Sequence, residues 1–338
     1  MVTMQTKSNS FRPMQSCRNK ILGLLVCLLI PLACLGQTSE PVETIRVESD
    51  LVDLKVSVVS LNLQNPSPEL QQKDFLVLED GRPQDISFFA AADTPLDLVL
   101  LLDTSGSTND KLKLIRKSAK RFIDETRPID RVSIVAFTDI AQVICPLTQD
   151  RRLLKDSIDD IERSGGGTKF WDTLRYVLAV LRASGNSLRR SAVVVMTDGV
   201  DNALPDVLGP GSQTSFDELL GIVRAADTIV FPIYLDTEDE QLKRHSATRM
   251  AYAMARDELA QLAEASGSRL FRANHLKDLD DVYKQVIGDL GRIYSIGYRP
   301  SNTLRDGKWR SVSIQIQDRR DVIARTKQGY YSRSLSNQ

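Results

Sequence analysis

The chain has 338 residues, 42% of them hydrophobic and 26% charged. That balance excludes wholesale disorder, a collagen-like chain and a multispan membrane protein. Basic and acidic residues number 44 each, but residues 1–36 hold four basic and no acidic side chains, leaving 40 basic against 44 acidic beyond them. A mildly acidic body lacks the basic stripe that phosphate neutralisation demands, so nucleic acid is not expected as a partner.

The first element is an address. Ile21 to Leu35 is the long apolar run of the chain, preceded by Lys7, Arg12, Arg18 and Lys20 and closed by Cys34-Leu35-Gly36. It is short for a bilayer span and contains Pro31. This layout predicts a secretory signal peptide over 1–36, cleaved after Gly36, then a linker over 37–45. The protein is therefore expected to be secreted or periplasmic, with no membrane insertion after cleavage. An uncleaved anchor and lipidation at Cys34 are the alternatives. Three of the four cysteines lie in this leader, so the remaining Cys145 can form no internal disulfide and reads as a buried thiol.

Two flanks frame the body. Residues 46–93 carry an alternating strand at Val52 to Val58 and two short apolar runs, Phe75–Leu78 and Ile86–Phe89, around a turn at Asp80-Gly81. Residues 293–333 carry the alternating Val312, Ile314 and Ile316, a strand from Val322 to Thr326, and Gly329-Tyr330-Tyr331. Neither flank has enough strands for a core of its own. The two are expected to pair as one smaller β-rich module.

Between them, residues 95–290 alternate strands and helices. Apolar runs at 96–103, 131–137, 191–197, 228–235 and 268–273 suit strands buried on both faces. Residues 141–146 follow a strand after a short turn and read as an antiparallel edge. Helical spacing marks 111–125 (Leu114, Ala119, Phe122, Ile123), 170–183 (Leu174, Val177, Leu178, Leu181), 249–265 and 276–290. The pattern predicts an α/β fold, a doubly wound, mostly parallel six-stranded sheet.

One constellation carries chemistry. The strand at 96–103 ends in Asp103-Thr104-Ser105-Gly106-Ser107, and the strand at 191–197 runs into Asp198-Gly199. Ser164-Gly165-Gly166-Gly167-Thr168 precedes a helix. Ligands of doubly wound sheets sit beyond the carboxyl ends of the strands. Asp103, Ser105, Ser107, Thr168 and Asp198 all offer hard oxygen, which selects Mg2+, Mn2+ or Ca2+ over Zn2+ or Cu2+. Loops 201–215 and 236–248 would share their rim, with Phe170, Trp171, Asp201 and Asn202 as candidate partner-binding residues. His245 and His275 stand apart from any nucleophile motif.

In this order, Asp103-x-Ser105-x-Ser107, Thr168 and Asp198 resemble the von Willebrand factor type A (VWA) domain, over about residues 95–290. Asp74-Phe75, Glu79-Asp80-Gly81, Gly297-Tyr298-x-Pro300 and Gly329-Tyr330-Tyr331 resemble a bacterial group of exported VWA-related proteins. The resemblance implies a metal-ion-dependent adhesion site, with Ser105, Ser107 and Thr168 binding the ion directly and Asp103 and Asp198 acting through water. It implies a non-catalytic protein whose ligand offers an Asp or Glu side chain. The rival reading is a metal-dependent hydrolase or phosphoryl-transfer enzyme using Asp103. A nucleophilic Asp of that kind needs a general acid two residues on, where this chain has Ser105, and no Gly-x-Ser-x-Gly elbow is present. A second rival is a purely structural ion, capped by this chain's own carboxylates.

Overall fold

The computed structural model describes residues 51–60, 69–108, 111–162, 166–184, 189–244, 248–273 and 278–334. The expected leader and linker, the first residues of the 46–93 segment, Ser164, Gly165, His245 and His275 lie outside the described residues. Among the described residues no helix is long and apolar enough to cross a membrane.

Strands β1 (Val52–Ser60), β2 (Phe75–Glu79), β3 (Arg82–Gln84) and β4 (Ile86–Ala90) come first. The α/β body follows as β5 (Leu96–Asp103), α1 (Leu112–Glu125), β6 (Arg131–Phe137), β7 (Ala141–Thr148), α2 (Arg151–Asp159), α3 (Phe170–Ser184) and β8 (Arg190–Thr197). It continues with α4 (Phe216–Ala225), β9 (Thr228–Leu235), α5 (Glu238–Arg244), α6 (Arg249–Ser266), β10 (Phe271–Ala273) and α7 (Leu279–Leu290). Strands β11 (Ile293–Tyr298), β12 (Trp309–Ile316), β13 (Val322–Arg325) and β14 (Gly329–Tyr331) close the chain.

The central sheet has the order β10-β9-β8-β5-β6-β7. All its pairings are parallel except β6 with β7, which forms an antiparallel edge. β5 is buried on both faces because successive residues serve opposite layers. Leu96, Leu98, Leu100 and Leu102 pack with α1 and α7, while Val99 and Leu101 pack with α3, α4 and α6. The chain leaves β5 for β6 on one side and reaches β8 on the other, so the strand order reverses where β5 meets β8.

The flanks interleave. β1 and β4 from the first flank pair with β11 and β13 from the second, in the order β13-β1-β11-β4. β2 and β3 pair with β12 and β14, in the order β14-β12-β2-β3. Leu54, Val56, Phe75, Val77, Tyr294, Ile296 and Val312 join the two sheets in one apolar cluster. The aromatic core is explicit, with the Phe75 and Tyr294 rings 5.2 Å apart. One buried carboxylate ties both chain ends together: Tyr298 and Tyr330 each donate to Glu79 Oε2, at 2.7 and 2.9 Å.

Four expectations need correction. Leu114 does not belong to the buried stripe of α1; it is 39% exposed, and Leu112 and Ile115 set the phase. The Asp80-Gly81 turn joins β2 to the three-residue β3, not to Ile86–Phe89, which crosses to the other sheet as β4. Pro83 offers no N–H, which suits β3 to an edge. The last apolar run shortens to β10, because Ser268 leaves the strand and donates through Oγ to the Val230 carbonyl. The 236–248 loop contains α5.

Arg190, at the start of β8, joins the two halves. Its buried guanidinium donates to Ser295 Oγ at 3.0 Å, to the Ile293 carbonyl, and to the Ala90 and Ala91 carbonyls at 3.1 and 2.5 Å. It thus grips the chain where it enters the α/β body and where it leaves. Burial, then the nearby Arg127 charge, lower its pKa to about 10, so it stays charged at neutral pH. Arg190→Met should cost about 3 kcal/mol in urea denaturation, since it strands several buried carbonyls at once. Lysine should not restore the loss, because one ammonium cannot reproduce the planar fork. A loss under about 1 kcal/mol would remove this grip from the account.

Candidate metal centre

The reversal point between β5 and β8 sets the position of the site. Asp103 ends β5, and Asp198 follows β8 directly. Both carboxylates are fully buried. Asp103 Oδ1 accepts from Ser105 N at 2.9 Å and its Oδ2 from Thr197 Oγ1 at 2.6 Å. Asp198 Oδ1 accepts from Val200 N at 3.2 Å and its Oδ2 from Thr237 Oγ1 at 2.6 Å. Thr237 Oγ1 lies 2.8 Å from the Tyr252 hydroxyl, which extends the chain into α6. These partners are all neutral. Burial first, and then the charge of Asp198, raise Asp103 well above the usual carboxylate range, against the pull of Ser105 and Thr197.

The hydroxyl donors are held by backbone. Thr108 Oγ1 donates to the Asp103 and Ser105 carbonyls at 2.9 and 3.1 Å, which closes the loop after β5. Within it, Ser105 Oγ and Ser107 Oγ stand 3.2 Å apart, the first buried and the second half-exposed. Thr104 N binds the Phe137 carbonyl at 2.9 Å, and Lys169 N binds the neighbouring Thr138 carbonyl at 2.9 Å. The end of β6 thereby brings the 103–108 loop beside Thr168. Thr168 is gripped in turn by Asn202: its N–H donates to Asn202 Oδ1 at 2.8 Å, and Asn202 N donates to its carbonyl at 3.0 Å. Gly199 permits the turn after Asp198. Its φ is +74°, and a β-carbon there would lie 2.8 Å from Leu259 Cδ1.

Two buried carboxylates and three hydroxyls suit a hard divalent cation. Positive charge between the carboxylates would offset repulsion that their neutral partners leave in place.

Three of the four residues expected on the rim are buried. Phe170 and Trp171 are buried, their rings 6.0 Å from those of Phe137 and Phe216, because the first turn of α3 faces the sheet and α4. Asp201 is fully buried, and its carboxylate is spent on Trp171 N, Ala203 N, Ser212 N and Ser212 Oγ. Asn202 is half-buried against Thr168. Among the described residues, Leu208 on the 201–215 loop and Ile140 in the turn between β6 and β7 are apolar and exposed, at 76% and 72%. Thr197, Thr237 and Tyr252 escape the sequence reading. Strand-end position was the available signal for Thr237, two residues beyond β9.

An α/β domain with oxygen donors gathered at the reversal point of its sheet is the class that this geometry defines. The von Willebrand factor type A domain matches residues 97–285, more than half of the chain. The chain belongs to that family. An uncharacterized protein of Borreliella burgdorferi is 26% identical over 153 residues, covering 43% of this chain and 42% of its own. A UPF0353 protein of Nocardia farcinica is 21% identical over 207 residues, covering 58% of this chain and 62% of its own. This chain thus spans less than two thirds of either relative. A solved structure, the von Willebrand factor type A from Catenulispora acidiphila, aligns with TM-score 0.45 and 12% identity over 80% of this chain and 76% of its own.

Behind the site, Glu258 of α6 lies buried beside the Trp171 indole. Burial first, and the charges of Asp201, Asp257 and Asp217 after it, push its carboxyl up to about 8, against the pull of Trp171. The folded chain holds this proton up to about pH 8, whereas an ordinary glutamate releases it near 4.5. The resulting stability is complete below about pH 4.5 and is lost as pH rises to about 8. Melting curves from pH 5 to 8.5 should therefore fall more steeply for wild type than for Glu258→Gln. Parallel curves would show that the carboxyl does not hold the extra proton.

Proposed function

We propose that the chain is an exported, non-catalytic binding protein that recognises an acidic side chain of a partner protein through a divalent cation. The supporting observation is the pair of buried carboxylates, Asp103 and Asp198, at the ends of two neighbouring strands, with the Ser105 and Ser107 hydroxyls 3.2 Å apart in the loop that follows Asp103. Ser105, Ser107 and Thr168 would hold the ion, with Asp103 and Asp198 behind them, and Mg2+ is the first candidate, Mn2+ or Ca2+ the alternatives. When bound, the cation supplies a position that a carboxylate oxygen from outside can complete. Neutral hydroxyls leave more of its charge for that incoming oxygen than carboxylate ligands would.

The residues of this chain then have separate tasks. Thr197 and Thr237 orient the two carboxylates, each through a 2.6 Å bond. Asn202 fixes the backbone of Thr168. Ser107, half-exposed, stands at the mouth. Binding is favoured over nucleophilic catalysis because Asp103 is fully buried and both its oxygens already accept hydrogen bonds.

Mg2+ should raise the melting temperature of the purified protein by several degrees, reversibly with EDTA. At a hundredfold excess over Kd, mass action supplies about 2.7 kcal/mol. Asp103→Ala should abolish the rise while far-ultraviolet circular dichroism stays unchanged. An undiminished rise in that variant would place the ion elsewhere. Export has its own check: N-terminal sequencing of the protein recovered from outside the cytoplasm should begin at Gln37.

A further inference from the structure

The loop after Asp198 is a built object. Asp201 closes its neck, accepting from Ala203 N at 2.9 Å, Ser212 N at 3.0 Å and Ser212 Oγ at 2.6 Å. Ala203 and Gly211 are pressed together there; a β-carbon on Gly211 would lie 1.9 Å from Ala203 N. The loop is also fastened to α3 from both directions. Asp201 accepts from Trp171 N at 3.1 Å, while Asp172 accepts from Gln213 N and Thr214 N, both at 2.9 Å. Ends that meet around a compact body make residues 203–211 an Ω-loop. At its far side Leu208 stands 76% exposed.

One side chain spans from this loop to the metal centre. The Asn202 amide donates through Nδ2 to the Leu208 carbonyl, and through Oδ1 it accepts from Thr168 N at 2.8 Å. We propose that Asn202 couples Thr168 to the loop tip, so that a cation bound at the centre orders the apolar surface at Leu208 beside it. The surface so formed fits a partner whose acidic side chain has apolar neighbours: the acid meets the ion and the neighbours meet Leu208. This inference rests on the metal-binding reading above, because Thr168 transmits nothing unless it holds the ion. Asn202 is a positioning residue in this scheme and touches no ligand itself.

Hydrogen exchange read by mass spectrometry tests the coupling with the cation alone as probe. Peptides covering 203–211 in the purified protein should exchange about tenfold more slowly in Mg2+ than in EDTA, within the usual range of coupling between sites. In Asn202→Ala that protection should vanish, and the Mg2+ concentration for half-maximal thermal shift should rise about tenfold or more, as for other groups that orient ligands. Asn202→Asp serves as the second variant: it keeps the acceptor for Thr168 N, turns the donor to Leu208 into a second acceptor and adds a negative charge that would favour the ion, so it should lose the loop protection even where the thermal shift persists. A wild-type thermal shift without any slowing in the loop would overturn the coupling and leave the metal centre standing. No wild-type thermal shift at all would overturn both.

Discussion

The constraint on which this structure turns is the burial of two carboxylates at the ends of adjacent parallel strands. Removing one ionised carboxyl from water is costly, and a second alongside it adds repulsion. The sheet order brings the two close. β5 and β8 pair in register from Leu96 to Leu102 with Arg190 to Met196, so Asp103 comes level with Thr197 and Asp198 follows one residue on. Thr197 and Thr237 lessen the cost with short hydrogen bonds, but a hydroxyl brings no charge. A fold selected only for stability would place apolar side chains there, and buried carboxyl groups perturbed by one another are the kind of groups that cluster at functional sites.

The opposite end of the sheet shows the reverse condition. Asp97, at the start of β5, is held by Arg131 and Arg189 at 2.5 Å each, and its carboxyl lies below the usual range despite its burial. Arg190 grips the strands that enter and leave the body. Glu79, Tyr298 and Tyr330 lock the interleaved flanks, and Arg310 Nη1 stands 3.7 Å from the same carboxyl group. Charges at this base are matched, or held by several carbonyls at once. The charges in and below the β-rich module thus have charged or multiple carbonyl partners, whereas Asp103 and Asp198 have neutral ones.

Pattern and position made much of this legible. β5 could be read as a central strand because its unbroken Leu and Val run suits burial on both faces, and Asp103 could be placed at the carboxyl end of the sheet because it ends such a run. The interleaving of the flanks followed from counting strands too few for two cores. What escaped depends on tertiary context. Phe170 and Trp171 follow a glycine-rich stretch and could either stand exposed as anchors or pack under the helix; the first turn of α3 points them inward. Leu114 keeps helical spacing with Phe122 but falls on the wet side of α1. α2 begins at a cap, Asp150 accepting from Arg152 N and Leu153 N, a signal available in the letters but too short to stand out. Glu79 looked like part of a turn; only the fold brings Tyr298 and Tyr330, more than two hundred positions away, to its oxygen.

The same distinction separates ligands from the residues that hold them. A metal ligand must present a particular atom, so its identity survives in the sequence as a motif. Asn202 presents nothing to a ligand. Its work is to satisfy one N–H and one carbonyl on two different segments, and any geometry that did so would serve. Nothing in Asp201-Asn202 distinguishes a rim from a brace until the partners of each atom are known. Asp201 turns inward and spends both oxygens on backbone and Ser212, which leaves Asn202 as the link between a closed loop and Thr168. Loops around such a site can differ in sequence while the brace beneath them sets how firmly they stand, so under the proposed function the reading of a partner would be divided between an exposed tip and a half-buried amide.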